Sequence, residues 1–108
     1  MNTAANNRIA LSAVLITLNA GKQLAAALES LQFCGDLVVV DSNSTDNTVE
    51  VAEKFGARVV QQNWLGFGPQ KQFAVAQATY DWVLCLDADE RVTPELERTI
   101  RAVIQQAE

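Results

Sequence analysis

The chain has 108 residues, 49% of them hydrophobic and 19% charged, a balance that fits one globular domain and leaves no room for two. Thirteen acidic residues against eight basic ones give a net charge of −5, so nothing resembles the basic footprint of a nucleic-acid-binding surface. There is no histidine, which excludes imidazole catalysis and His-ligated metals, and a domain of this size buries roughly two-thirds of its unfolded surface, enough for a small core.

Residues 1 to 8 read as a flexible N-terminus ahead of a single unit over 9 to 108. Ile9 to Thr17 is a nearly continuous apolar run, as expected of a strand buried on both faces. With Arg8 before it and Asn19-Ala20 after it, the run imitates a signal peptide, but it carries a single preceding charge and leads straight into a helical pattern. It is too short to cross a bilayer as a helix, so the chain reads as soluble. Leu24, Leu28 and Leu31 recur at i, i+4, i+7 and predict an amphipathic helix over Lys22 to Gln32. Gly35-Asp36 reads as a break, and Leu37 to Val40 as a short β-branched strand ended by Asp41. Ser44, Thr45 and Asp46 are competent N-caps for a helix with Val49, Ala52 and Phe55 on one face and Gly56 as its stop. Arg58 to Gln62 is the third strand. A loop carrying Trp64 and Phe67 leads to Pro69, expected at a first helical position, in a helix reaching Ala78. Trp82 to Leu86 is the fourth strand, and Thr93-Pro94-Glu95 starts a final helix with a hydroxyl cap, a proline at N1 and an acid facing the dipole. Cys34 and Cys85 lack a CxxC spacing and read as small buried hydrophobes.

Four β-α units without repeats predict an α/β fold: a Rossmann-like parallel sheet with right-handed crossovers and helices on both faces. In such a sheet the residues that follow each strand gather along one edge, where open α/β sheets bind ligands. Asn19, Asp41 to Ser44, Asn63-Trp64 and Asp87 to Glu90 gather there.

Asp87 and Asp89 stand two apart at a strand end, so in extended backbone both carboxylates project to the same side. Paired hard oxygen ligands suit Mg2+ or Mn2+, which takes one or two carboxylates and completes its shell with phosphate oxygens and water. The plainer alternative is a pair of acids that ends a strand or caps a turn, which the cap already present at Thr93 weakens. Asp41 suits an acceptor for a ribose hydroxyl or a base N–H, whereas Ser44 to Asp46 are explained by turn formation and capping. Lys71 falls in the first turn of its helix, where the dipole disfavours a cation; it either faces an anionic ligand or is a solvated lysine. Trp64 and Phe67 pack over a ligand or over the domain's own core. Neither GxGxxG nor GxxxxGK[ST] occurs, so dinucleotide-fold and P-loop readings lose their support.

Val14 to Asn19, Val38 to Thr48 and Leu84 to Glu90 resemble, in order and spacing, the three signatures of the family 2 glycosyltransferases. Trp64 to Ala74 is similar to the bacterial branch that adds sugars to the lipopolysaccharide core, a β-1,4-glucosyltransferase branch. The resemblance implies the N-terminal, nucleotide-binding half of a GT-A fold, an inverting transfer from a nucleotide-diphosphate sugar, usually a UDP-sugar, and a divalent metal, Mg2+ or Mn2+. By position, Thr17 and Asn19 would lie beside the base, Asp41 would bond the uracil, Lys71 would stand near the nucleotide, Asp87 would contact the ribose or metal site, and Asp89 would hold the metal on the diphosphate. Asn43 stands where the second signature usually has glycine, a tolerable change because asparagine enters the left-handed region readily. Ala20-Gly21 replaces acidic residues common after the asparagine.

The resemblance places the acceptor site and the catalytic base in a C-terminal half that these residues do not include, so this length by itself is expected to be inactive. It implies a lipid-linked glycan acceptor and a place at the cytoplasmic face of the inner membrane. A sheet edge left exposed makes a homodimer a candidate assembly. Two other readings stand beside it: a non-catalytic fragment that binds a sugar nucleotide, and a haloacid dehalogenase-like phosphatase, for which Arg91 stands where threonine or valine is expected. A receiver-like module lacks an acidic pair after the first strand, where Leu18-Asn19-Ala20 stands.

Overall fold

The computed structural model describes residues 8 to 107. Apart from Arg8, the expected flexible N-terminus lies outside the described residues. Four strands and four helices alternate: β1 (Ile9–Thr17), α1 (Gly21–Glu29), β2 (Cys34–Asp41), α2 (Thr48–Lys54), β3 (Arg58–Gln61), α3 (Phe67–Ala76), β4 (Trp82–Cys85) and α4 (Pro94–Ala107). All neighbours in the sheet are parallel, in the order β3-β2-β1-β4. This is the α/β class and the strand alternation that the sequence predicts.

Side-chain alternation along the strands divides the core in two. Leu11, Ala13 and Leu15 of β1 and Leu37 and Val39 of β2 face Leu24, Ala27 and Leu28 of α1, Ala52 of α2 and Ile104 of α4. Val14, Val38 and Val40 face the other way, against Ala74 and Phe73 of α3. β1 and β2 thus lie between two helical layers, which explains why they read as unbroken apolar runs. β3 and β4 are four-residue edge strands with only intermediate or exposed positions. The outer side of β4 pairs with no strand among the described residues.

Several boundaries differ from the sequence expectation. β2 begins at Cys34, not Leu37, because Asp36 finds partners rather than breaking the strand. Its carboxylate accepts from Ser12 Oγ at 2.8 Å, from Arg58 at 3.1 and 3.2 Å, and from the Thr79 N–H at 2.9 Å. Burial alone would push the Asp36 pKa up, but the Arg58 hydrogen bonds and charge, the Thr79 N–H and the Ser12 hydroxyl outweigh it and hold the carboxyl below its ordinary value. α3 begins at Phe67, so Pro69 is its third residue, where a missing N–H still costs nothing. α2 is capped by Asn47 without a side-chain bond; of Ser44, Thr45 and Asp46 only Asp46 reaches it, accepting from the Thr48 N–H at 2.9 Å and from the Thr48 hydroxyl. At α4 the expectation holds: the Leu96 N–H donates to Thr93 Oγ1 at 3.1 Å, with Pro94 first in the helix. Cys34 is buried, but Cys85 is exposed, because it lies on the edge strand rather than in the core. Among the described residues no helix is long and apolar enough to cross a membrane.

Candidate functional site

The loops that follow the strands meet at one edge, and the β1–α1 and β2–α2 loops are laced together there. Asn19 adopts a left-handed backbone (φ 52°), which turns its side chain so that Oδ1 accepts the Thr45 N–H at 2.8 Å and the Asp46 N–H at 3.3 Å. Its own N–H donates to Ser44 Oγ at 2.8 Å. The first amides of α1 are met in the same way: Ala20 donates to Thr48 Oγ1 at 2.9 Å and Gly21 to Asp46 Oδ2 at 3.0 Å. The start of α1 is therefore closed by its neighbour loop and is not an open anion site. Asp46 is held below its ordinary pKa, first by the Thr48 hydroxyl and then, against some desolvation, by the Thr48 and Gly21 N–H groups.

Asp41, the last residue of β2, is completely buried. Its Oδ1 accepts from Thr17 Oγ1 at 2.7 Å and Ser44 Oγ at 2.6 Å; its Oδ2 accepts from the Ser44 N–H at 2.9 Å and Gln61 Nε2 at 3.0 Å. A carboxylate has about four acceptor positions, and all are filled from within the chain. Burial raises the cost of its charge, yet the Ser44 hydroxyl and N–H, the Thr17 hydroxyl and the Gln61 amide together keep its pKa below the ordinary value. Asn43 has φ 58°, the backbone for which its glycine-like position calls, and its Nδ2 donates to Asn63 Oδ1 at 2.8 Å.

Lys71 sits in the second turn of α3, not the first, because the helix starts earlier than expected. Its Nζ lies 4.0 Å from Asp87 Oδ1, across a hollow of about 130 Å3 that Val14, Ile16, Cys85 and Leu86 also line. Both charges are about half exposed, so the pair contributes little to stability and stays available to a ligand. Residues 87 to 90 form a turn in which Glu90 N–H donates to Asp87 O at 3.0 Å and the Asp87 N–H donates to Glu90 Oε1 at 3.0 Å. The extended geometry expected for Asp87-x-Asp89 is therefore absent. Asp87 faces Lys71, while Asp89 lines a separate hollow beside Lys22 and Gln23 on α1.

The structure thus brings Thr17, Asn19 and Asp41 into one network and Lys71 and Asp87 into another. Between them lies an apolar cup of about 390 Å3 formed by Ile16, Thr17, Leu18, Trp64 and Phe67. Trp64 and Phe67 meet edge to face at 4.9 Å and remain largely exposed, so they cover neither core cluster. No group of three or more Asp, Glu or Cys side chains that could hold a metal by itself occurs among the described residues. The acidic turn suits only an ion that arrives with most of its ligands, as Mg2+ or Mn2+ on a diphosphate does.

Two residues of the site escape sequence reasoning. Gln70 is fully buried; its Nε2 donates to Ser42 Oγ at 3.0 Å and its Oε1 accepts the Leu65 N–H at 3.0 Å, which pins the aromatic loop to the β2–α2 loop. A polar residue four before the buried Ala74 was the available signal. Gln61 bridges Asp41 and the Asn43 N–H, the latter at 3.0 Å on its Oε1, and only the β2–β3 register, which sets Asp41 beside Gln61, reveals it.

A four-stranded parallel α/β sheet with acidic and polar loops at its C-terminal edge is the architecture of the N-terminal half of a GT-A fold. The sequence model of glycosyl transferase family 2 matches residues 12–107, and the chain belongs to that family. It is 44% identical over 104 residues to an uncharacterized glycosyltransferase of Rickettsia conorii, covering 95% of this chain and 36% of that protein. It is 36% identical over 98 residues to the lipopolysaccharide core biosynthesis glycosyltransferase LpsC of Rhizobium meliloti, covering 86% of this chain and 36% of that one. Among solved structures, S. aureus TarS 1-349 in complex with UDP superposes with a TM-score of 0.71 at 25% identity, over 91% of this chain and 32% of TarS. Mycobacterium tuberculosis glucosyl-3-phosphoglycerate synthase, in complex with Mn2+, UDP and glucosyl-3-phosphoglycerate, gives 0.66 at 27% identity, over 82% and 37%. The chain spans about a third of the length of these relatives.

Proposed function

We propose that these residues form the donor side of an inverting glycosyltransferase that uses a UDP-sugar with Mg2+ or Mn2+ in the synthesis of lipopolysaccharide or another cell-envelope glycan. The observation that carries this reading is the convergence, on one sheet edge, of the Thr17–Asp41 network and the Lys71–Asp87 pair on either side of an apolar cup. UDP in the TarS structure, and UDP with Mn2+ in the synthase structure, support the donor class. The LpsC relative supports the glycan class.

In this reading Asp41, Thr17 and Asn19 shape the base end of the site, and the aromatic cup shields the nucleoside from water. Lys71 lies where it can turn from Asp87 to the diphosphate, leaving Asp87 free for a ribose hydroxyl or the metal. Asp89 would hold the divalent ion together with Asp87 once the 87–90 turn opens and brings its carboxylate from the α1 hollow to the Asp87 side. When bound, that ion supplies Lewis-acid stabilisation of the departing diphosphate. Direct in-line displacement would invert the anomeric centre. The acceptor, expected to be a lipid-linked glycan at the cytoplasmic face of the membrane, and the catalytic base are assigned to sequence of the kind that makes up the rest of the longer relatives. The open β4 edge supports pairing with a second copy; a strict monomer in native mass spectrometry rejects that assembly.

Titration calorimetry with UDP tests the donor site. Binding that needs Mn2+, and that Asp89→Ala abolishes, is the expected result. Failure of the wild-type protein to bind UDP with Mn2+ present overturns the reading.

A further inference from the structure

We propose that Gln61 is a placeholder for the ligand: its side-chain amide fills the one position on Asp41 that a nucleobase N–H can take, and it leaves when that base binds. The inference rests on the donor-site reading above and adds a residue that controls it.

Asp41 presents no open lone pair, so a ligand can bond it only by displacing one of four donors. Three of them are fixed. Thr17 is a buried strand residue, only 5% exposed. Ser44 Oγ is held from both sides, donating to Asp41 and accepting from the Asn19 N–H. The Ser44 N–H is backbone, in a loop that Asn19 grips through Thr45 and Asp46. Gln61 differs from all three: it is exposed, it ends an outer strand, and its side chain can rotate into water. Its departure frees one other group, the N–H of the exposed Asn43, which water can satisfy.

A physical reason for such a device follows from burial. An empty base pocket that ended on a bare buried carboxylate would leave a charge short of donors, which is costly. Gln61 keeps the charge satisfied while the site is empty and exchanges one N–H for another when it fills. The exchange requires a donor on the incoming ring, so it selects a base with a ring N–H, such as an imide, over one with a bare ring nitrogen. It also taxes affinity, since the tethered amide competes with the ligand. Water, which takes its place when the amide is removed, is untethered and competes less.

UDP and CDP titrations on wild type and Gln61→Ala, with Mn2+ present, read this competition. The expected result is UDP binding about fivefold tighter in Gln61→Ala, a ratio equal to about 1 kcal/mol at 298 K, with no gain for CDP. In the wild-type protein the Gln61 side-chain amide resonances, assigned by their loss in Gln61→Ala, should move toward solvent-exposed values as UDP saturates the site. UDP affinity that is unchanged or weaker in Gln61→Ala, or amide resonances that stay fixed, overturns the proposal while leaving the donor site intact. Equal tightening for UDP and CDP overturns the N–H exchange. UDP that binds neither protein overturns the donor-site reading and this proposal with it.

Discussion

Replacing Asp41 by alanine should cost much more stability than replacing it by asparagine, and the hydrogen bonds around it set the sizes. Alanine strands the Thr17 hydroxyl, which is 5% exposed and has no other acceptor among the described residues, at about 1–3 kcal/mol. The Ser44 hydroxyl and N–H are only partly buried and reach water, adding about 1 kcal/mol between them. The total, about 2–4 kcal/mol, is a large share of the roughly 5–15 kcal/mol that stabilises an ordinary domain. Asparagine keeps most of it. With its oxygen at the Oδ2 position it still accepts from the Ser44 N–H and Gln61, while its NH2 faces two hydroxyls that can rotate to accept, for a loss of about 1 kcal/mol. Urea unfolding followed by the fluorescence of Trp64 and Trp82 measures both variants. Equal losses for the two, or a loss below about 1 kcal/mol in Asp41→Ala, would refute the view that this carboxylate holds the site's loops together.

Three further outcomes follow from the same geometry. The folded-state pKa values of Asp36 and Asp41 lie below their ordinary ones, so the stability they contribute is complete above about pH 4 and is lost as pH falls through the folded values; acid titration of Asp36→Asn should show a shallower loss than wild type. A Cβ on Gly35 would stand 2.7 Å from the Ile9 carbonyl oxygen and 3.1 Å from the Tyr80 ring, so Gly35→Ala should lower stability by about 1–3 kcal/mol in thermal or urea melts. Thiol labelling under native conditions should modify Cys85 alone, since Cys34 is buried and its pKa is pushed up to about 12, chiefly by desolvation; modification of both thiols before unfolding contradicts the packing around β2.

The strand–helix order and the sheet edge at which the polar loops gather are legible because apolar runs and amphipathic spacing are local properties of the chain. Leu24 and Leu28 announce α1 and are completely buried; Leu31, expected in the same helix, is equally buried but lies in the turn after it, because α1 ends at Glu29. What the sequence could not show was which polar groups satisfy one another. Gly35-Asp36 looked like a break because the carboxylate's partners, Ser12, Arg58 and Thr79, lie far along the chain. Asp87 and Asp89 looked like a pair aimed one way because an extended backbone was assumed, and a turn replaces it. Cys85 looked buried because its neighbours are apolar, but strand position decides exposure, and the sheet order sets β4 at the rim.

Ser12 and Asp36 face each other across β1 and β2 near one end of the pair, and Thr17 and Asp41 do so at the other. Both hydroxyl–carboxylate bonds join residues 24 apart, and they lie on opposite faces of the sheet. Sliding β2 by one residue would break both bonds together and turn each acid toward the wrong apolar layer. The two pairs act as locating pins at either end of one joint. They favour this alignment of the central strands over a slipped one, and they hold the loops beyond Thr17 and Asp41 at a fixed height relative to each other.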